Sequence, residues 1–249
     1  MSSPPPRFPS SAEVFQLCTS PSPSPQDIRV IPFSPSKRSL KIGILVLSRA
    51  QVQLFDLAAI DLLPMLSRTR IDRLTASSAV IAAAVDEVDI RYISESGEGS
   101  FPITSGARIP VTNSFDNAPQ MDVLIIPGSF SYEELTLAAT TFMREQSSNR
   151  GFIALLSMGS GILSLAQTGL LHETRAATSQ ALFPFLQQRF PETRWRVMHW
   201  TKQGHLWTSS SAVAGIVMLV AWVREYFWDR REAVECVLGA AGFPPLHNS

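Results

Sequence analysis

The chain has 249 residues, of which 45% are hydrophobic and 17% charged, with 21 basic and 21 acidic side chains in balance. That is globular composition with a substantial core, enough for one large α/β domain or two small ones. Neutrality without a Lys/Arg cluster argues against nucleic acid or an anionic membrane as the main partner.

Residues 1–40 hold nine of the 18 prolines and ten serines. Such a stretch buries too little apolar surface to offset its ordering entropy, so it reads as a disordered tail, or as a phosphorylated or partner-binding arm. From Lys41 the pattern changes. KIGILVL (41–47) is a continuous apolar run, as expected for a strand buried on both faces. Asp56 to Leu66 has helical spacing, and DIRYIS (89–94) reads as a second strand. MDVLIIPG (121–128) is a buried strand ending in Pro-Gly, followed by a helix over Glu133–Glu145. GFIALLS (151–157) is a strand, Ile162–Thr168 a helix, and Ala181–Arg189 another. VMHW (197–200) and HLWTS (205–209) sit as strands either side of a turn at Lys202-Gln203-Gly204. Ala212–Tyr226 is a long buried helix whose apolar run, Ala212 to Trp222, is about half a membrane span.

Buried strands alternating with helices predict a doubly wound, mostly parallel sheet sandwiched by helices, with one domain over 41–249. Ligands of such sheets bind at the carboxyl ends of strands, which selects the corners 48–56, 127–131 and 157–161. At the last of these, Gly159-Ser160-Gly161 is neither a dinucleotide fingerprint nor a phosphate loop, and Ser160 lacks the glycine spacing of a nucleophile elbow. The glycines there satisfy a tight turn on backbone grounds, or mark a site. Asp56 starts a helix, where a carboxylate caps free N–H groups or serves as an acid/base raised by apolar neighbours.

The four histidines show no metal-ligand spacing, and the cysteines, Cys18 and Cys236, stand far from them. No metal or other cofactor is expected. His199 flanks Trp200 on a predicted strand, and the tryptophans at 195, 200 and 207 read as core or pocket wall. Two cysteines are too few for a secreted disulfide scaffold, and the N-terminus lacks a secretory apolar stretch. A reducing compartment, by default the cytoplasm, is the expectation.

Taken in order, several segments resemble the DJ-1/PfpI superfamily, a glutamine-amidotransferase-like group, and within it the isonitrile-hydratase-like branch. ILVLSRAQVQLFDLAAIDLL is similar to that branch's first strand, loop and Leu-Asp-Leu-Ala-Gly-Pro helix. NSFDNAPQMDVLIIPGS resembles its Ser-Phe-acid stretch running into Asp-Val-Leu-Ile-Ile-Pro-Gly-Gly. SMGSGILSLAQTGLLHETRAATS resembles its Cys-Thr-Gly elbow, the helix to Ala-Gly-Leu-Leu, and Arg-Ala-Thr-Thr. RFPETRWRVMHWTKQGHLWTSSSAVAG resembles the closing hairpin and helix, with the Trp-Thr-Ser step of fungal members.

The resemblance implies a flavodoxin-like fold, a homodimer, and chemistry by an elbow thiolate, a nearby carboxylic acid and oxyanion-holding amides. Carried over, the carboxylic acid falls on Asp56, the loop amides on Gly128 and Ser129, and the elbow cysteine on Gly159. The residue after the cysteine falls on Ser160, and the family histidine on Ser179. Nucleophile and histidine are therefore replaced while acid and amides persist. Glycine keeps a strained elbow turn without the Cβ penalty.

Two functions follow. One is an enzyme acting without a covalent intermediate, with Asp56 as general acid/base and the Ser129 and Ser160 amides holding developing charge. It would hydrate, isomerise or cyclise a small metabolite, in a fungal secondary-metabolite pathway, with Ser160 as the remaining hydroxyl at the elbow and His199 and Trp207 in the substrate wall. The other is a catalytically inactive relative that binds a ligand or serves as a dimer scaffold. A transcription regulator would need a helix-turn-helix domain beyond the residues that follow Tyr226.

Overall fold

The apolar runs KIGILVL and MDVLIIPG lie side by side in the middle of a seven-stranded sheet. The computed structural model describes residues 35–47, 51–74, 76–129 and 132–245. Its strands are β1 (Ser39–Leu45), β2 (Glu87–Ser94), β3 (Ser100–Pro102), β4 (Arg108–Pro110), β5 (Asn113–Ser114) and β6 (Val123–Ile126). They continue with β7 (Ala154–Ser157), β8 (Arg175–Thr178), β9 (Arg194–Val197), β10 (Trp200–Gln203) and β11 (Leu206–Ser209). The α-helices are α1 (Leu54–Ala58), α2 (Leu62–Met65), α3 (Arg68–Ile71), α4 (Ser78–Ala83) and α5 (Leu137–Ser148). After these come α6 (Ile162–Gln167), α7 (Phe183–Arg189), α8 (Ala212–Tyr226) and α9 (Arg231–Ala240).

The sheet order is β10-β11-β7-β6-β1-β2-β5, and every pair is parallel except β10 with β11. This is the expected doubly wound, flavodoxin-like arrangement. Side chains alternate across it because successive strand residues point to opposite faces. Val123 and Ile125 join one core with Met218, Leu219, Trp222 and Val223 of α8 and Val237 and Leu238 of α9. Leu124 and Ile126 join the other with Phe142 and Met143 of α5 and Ile162 and Leu165 of α6. Both faces are covered, which is why the strands read as unbroken apolar runs.

Several expectations are refined. The helix expected over Asp56–Leu66 is α1 and α2 joined by a 3-10 turn at Ala59–Asp61. The helix expected from Glu133 begins at Leu137, because Thr136 caps it by accepting from Ala139 N–H at 3.1 Å. VMHW is not one strand: β9 ends at Val197, Met198 and His199 form a bend, and β10 starts at Trp200. Lys202 and Gln203 belong to β10, and the turn falls on Gly204-His205. The expected tail lies outside the described residues up to 34. Ser36 is already tied in, its N–H donating to Asp229 Oδ2 at 3.1 Å, and Lys37 N–H donates to Tyr226 Oη at 2.9 Å. The folded chain thus starts ahead of Lys41. Among the described residues, no helix is long and apolar enough to cross a membrane.

Candidate active site

Strand order reverses between β1 and β6: the chain moves outward from β1 to β2 and returns to β6 on the other side. Such a switch point opens a crevice at the carboxyl ends of the two strands. The segment after β1 delivers Asp56 to it, and the segment after β6 delivers Gly128 and Ser129. The β7 corner, Gly159 and Ser160, lies next door.

Short backbone bonds fix these segments. Val52 bridges Ser129, and Gln53 N–H donates to Gly128 O at 2.9 Å. Leu54 N–H donates to Thr104 Oγ1 at 3.0 Å, so the turn between β3 and β4 braces the start of α1. Asp56, one turn on, is fully buried. Its Oδ2 accepts from Gly128 N–H at 2.6 Å, while its Oδ1 has no hydrogen-bond partner among the described residues. Burial pushes its carboxyl above the ordinary carboxylate value, and the Gly128 N–H pulls more weakly the other way. Asp56 does not cap its helix, since no side-chain cap bond forms at this end.

Gly128 is glycine because nothing larger fits. A Cβ there would stand 2.6 Å from Ser160 Oγ and 2.8 Å from Asp56 Oδ2. Gly159 is glycine for another reason. Its φ of +51° is a left-handed conformation that costs a side chain about 1–2 kcal/mol. Space itself is adequate: a Cβ on Gly159 would meet Ala212 N at 3.5 Å and Asp56 Oδ2 at 3.7 Å, ordinary contacts. The corner therefore has the strained geometry expected of an elbow, with the would-be side chain directed at Asp56 and the start of α8.

Ser160 Oγ donates to Ser129 O at 2.7 Å and accepts from Ser129 N–H at 3.0 Å. This reciprocal clasp occupies both the hydroxyl and the Ser129 amide. The expectation that the Ser129 amide holds developing charge is revised by that bond, as is any free role for the Ser160 hydroxyl. Gly159 N–H donates to Ser209 Oγ at 3.2 Å. Ser209 Oγ in turn donates towards Ser157 O at 3.3 Å and Ser211 O at 3.4 Å. This fully buried serine links the elbow to the entry of α8 and was not singled out in the sequence. The nearest signal was the Trp-Thr-Ser step.

Three further candidates remain. Trp207 is core, 3% exposed and stacked on Trp200 with ring centroids 5.6 Å apart. His199 is exposed in the bend before β10, with its carbonyl accepting from Ser210 N–H at 2.9 Å. Ser179 caps the approach to α7, its Oγ accepting from Leu182 N–H at 3.3 Å. Among the described residues, no group of three or more His, Cys, Asp or Glu could hold a metal ion.

The sequence model of the DJ-1/PfpI family matches residues 68–225, more than half of the chain. The chain belongs to the DJ-1/PfpI family. An isonitrile hydratase from Pseudomonas putida is 29% identical over 152 residues, 58% of this chain and 64% of that protein. The chain thus spans less than two thirds of that relative's length. A ThiJ/PfpI family protein from Pseudomonas syringae has a TM-score of 0.59 at 19% identity, covering 92% of this chain and 84% of that one. Drosophila melanogaster DJ-1beta has a TM-score of 0.62 at 15% identity, covering 83% and 100%. These structural likenesses establish the DJ-1/PfpI fold alone. Within the family match lie Gly128, Ser129, Gly159 and Ser160, whereas Asp56 precedes it.

Proposed function

We propose that this protein is a hydratase-like enzyme that works without a covalent intermediate, using Asp56 as general acid/base on a small, mostly apolar metabolite. The observation that carries the reading is the Asp56 carboxyl: fully buried, anchored through one oxygen on Gly128 N–H, unpartnered at the other, and raised in pKa at the switch point. Burial favours the acid form of this carboxyl, which suits it to proton donation. Ser160, committed to Ser129, positions the loop instead of attacking substrate. Glycine at 159 leaves room beside Asp56 for a bulkier substrate than a side chain there would allow.

The similarity to an isonitrile hydratase makes isonitriles the first substrates to try. Asp56 gives its proton to the terminal carbon of R–N≡C, water attacks that carbon, and the proton lost by the water returns to the Asp56 carboxylate. The product after tautomerisation is R–NH–CHO, and Asp56 is regenerated. Isomerisation or cyclisation would use the same carboxyl, and a fungal secondary-metabolite pathway is the setting we propose.

A second reading, a relative that binds a ligand without turning it over, is favoured by the complete burial of Asp56. We further propose a homodimer in a reducing, cytoplasmic setting. The dimer is supported by an exposed apolar patch on α1 and α8: Leu54, Phe55, Val213 and Val217 are 41%, 53%, 59% and 49% exposed.

The test incubates the protein, Asp56→Asn and Ser160→Ala with a panel of small isonitriles in 18O-labelled water. Labelled formamide from the wild type and Ser160→Ala, absent with Asp56→Asn, supports the enzyme. Turnover unchanged in Asp56→Asn contradicts it. No product with any isonitrile, alongside saturable ligand binding, favours the second reading.

A further inference from the structure

A second concavity opens at the carboxyl ends of β1 and β2, one strand along from the β1–β6 switch point. Val46 and Leu47 just past β1, Phe101 of β3, Phe115 after β5 and Ala139 in the first turn of α5 line a cavity of about 680 Å³. That volume lies within the roughly 300–1,000 Å³ of small-molecule sites. None of Asp56, Gly128, Gly159 or Ser160 lines it. Its place in the sheet is a favourable one, because parallel sheets take ligands outside the carboxyl ends of their strands.

The charged lining has one sign. Glu95, directly after β2, and Glu133 and Glu134, ahead of α5, bring carboxylates, and among the described residues no Lys, Arg or His lines the cavity. Glu95 is held in place, its Oε2 accepting from Thr136 Oγ1 at 3.0 Å. Thr136 Oγ1 also accepts from Ala139 N–H at 3.1 Å, so the cap of α5 is already filled. The positive end of α5 counts for about half an elementary charge and is outweighed by the carboxylates. The negative balance disfavours phosphates, carboxylates and nucleotides as occupants. Nor do the carboxylates converge as chelators: among the described residues, no group of three or more His, Cys, Asp or Glu could hold a metal ion. The chemistry that fits is a cation carrying a hydrocarbon. Aromatic walls suit it, since ring faces attract cations, and stacking on Phe142 with centroids 4.7 Å apart fixes the plane of Phe115.

We propose that this cavity binds a small organic amine, with its ammonium between Glu95 and Glu134 and its hydrocarbon against Phe101 and Phe115. Such a site is independent of whether Asp56 serves as an acid.

The test titrates phenethylammonium into the full-length protein at low salt and follows backbone amides by 1H–15N NMR. The amides of Ser94, Ser96, Phe115 and Ala139 should shift saturably. 3-Phenylpropionate, which carries a carboxylate on the same phenylethyl group, should leave them in place. Ethylammonium, which keeps the charge without the ring, should bind about tenfold more weakly or worse. The double variant Glu95→Gln/Glu134→Gln should bind phenethylammonium about tenfold more weakly or worse. Its melting temperature should be unchanged, because both side chains are exposed and Glu95→Gln keeps an acceptor for Thr136. No saturable shift with phenethylammonium, equal binding of either control compound, or equal binding by the double variant overturns the proposal. Shifts centred on Gly128 and Gly159 would put the amine at the Asp56 corner and overturn it as well.

Discussion

Asp56→Asn should change the pH dependence of stability in one direction. In the unfolded chain the carboxyl titrates near 3.8, and in the folded protein burial moves it upward. Below pH 3.8 both states carry the proton, and the native state suffers no loss from this group. Between 3.8 and the raised folded value the unfolded chain releases its proton while the native state retains it. Stability then falls by about 1.4 kcal/mol per pH unit, and levels off above the folded value. Asparagine cannot ionise, so the variant lacks this slope. At the acid end it carries amide N–H donors beside the unpartnered Oδ1 position, which costs about 1–3 kcal/mol if they stay unsatisfied. The melting temperature of the variant relative to wild type should therefore rise with pH, by about 3–6 °C per unit across the window, for a domain of this size. Thermal unfolding followed by circular dichroism from pH 3.5 to 8.5 measures the difference curve. A constant offset, or a gap that favours the variant more towards acid, would refute a raised Asp56.

The two site glycines should respond differently. Gly159→Ala adds a Cβ at φ +51° with room around it and should cost about 1–2 kcal/mol, whereas Gly128→Ala drives a Cβ into Ser160 Oγ and Asp56 Oδ2 and should cost about 1–3 kcal/mol and displace the carboxyl as well; urea denaturation of both variants, with turnover alongside, distinguishes them. Ser160→Ala should lose about 1–3 kcal/mol by removing the two hydrogen bonds that join residue 160 to Ser129, with turnover reduced far less than in Asp56→Asn; abolished turnover in an undestabilised Ser160→Ala would make the hydroxyl catalytic. Phe55→Glu places a charge in the exposed patch of α1 and α8 and should convert a dimer to a monomer in light scattering, while an unchanged mass would place the dimer contact elsewhere.

The sheet and the corners it presents were legible because parallel strands buried on both faces are written as continuous apolar runs, and KIGILVL and MDVLIIPG are such runs. Helix α8 matched its expected limits because Ser211 caps a long apolar stretch. Short, mixed elements were not legible. The hairpin of β3 and β4 is bounded by prolines and spans three residues a strand, and β8 and β9 carry arginines. Helix α9 carries a buried stripe, Ala233, Val234, Val237 and Leu238, at helical spacing. At the site, spacing selected the three corners, and the resemblance added roles for Asp56, Gly128 and Gly159. Which amides are free depends on contacts across the fold: Ser209 lies fifty residues from Gly159, and the Ser160–Ser129 clasp joins two loops. No local pattern encodes either. His199 and Trp207 were drawn in by residue type, and only burial shows that Trp207 fills the core.

The central claim is that Asp56 performs the chemistry. The most direct measurement compares metabolite profiles of a native host lacking the protein with one carrying Asp56→Asn at wild-type abundance. The same compound should accumulate in both and be absent from the wild type. A profile of the Asp56→Asn strain indistinguishable from wild type, while the deletion strain accumulates a compound, would contradict the claim.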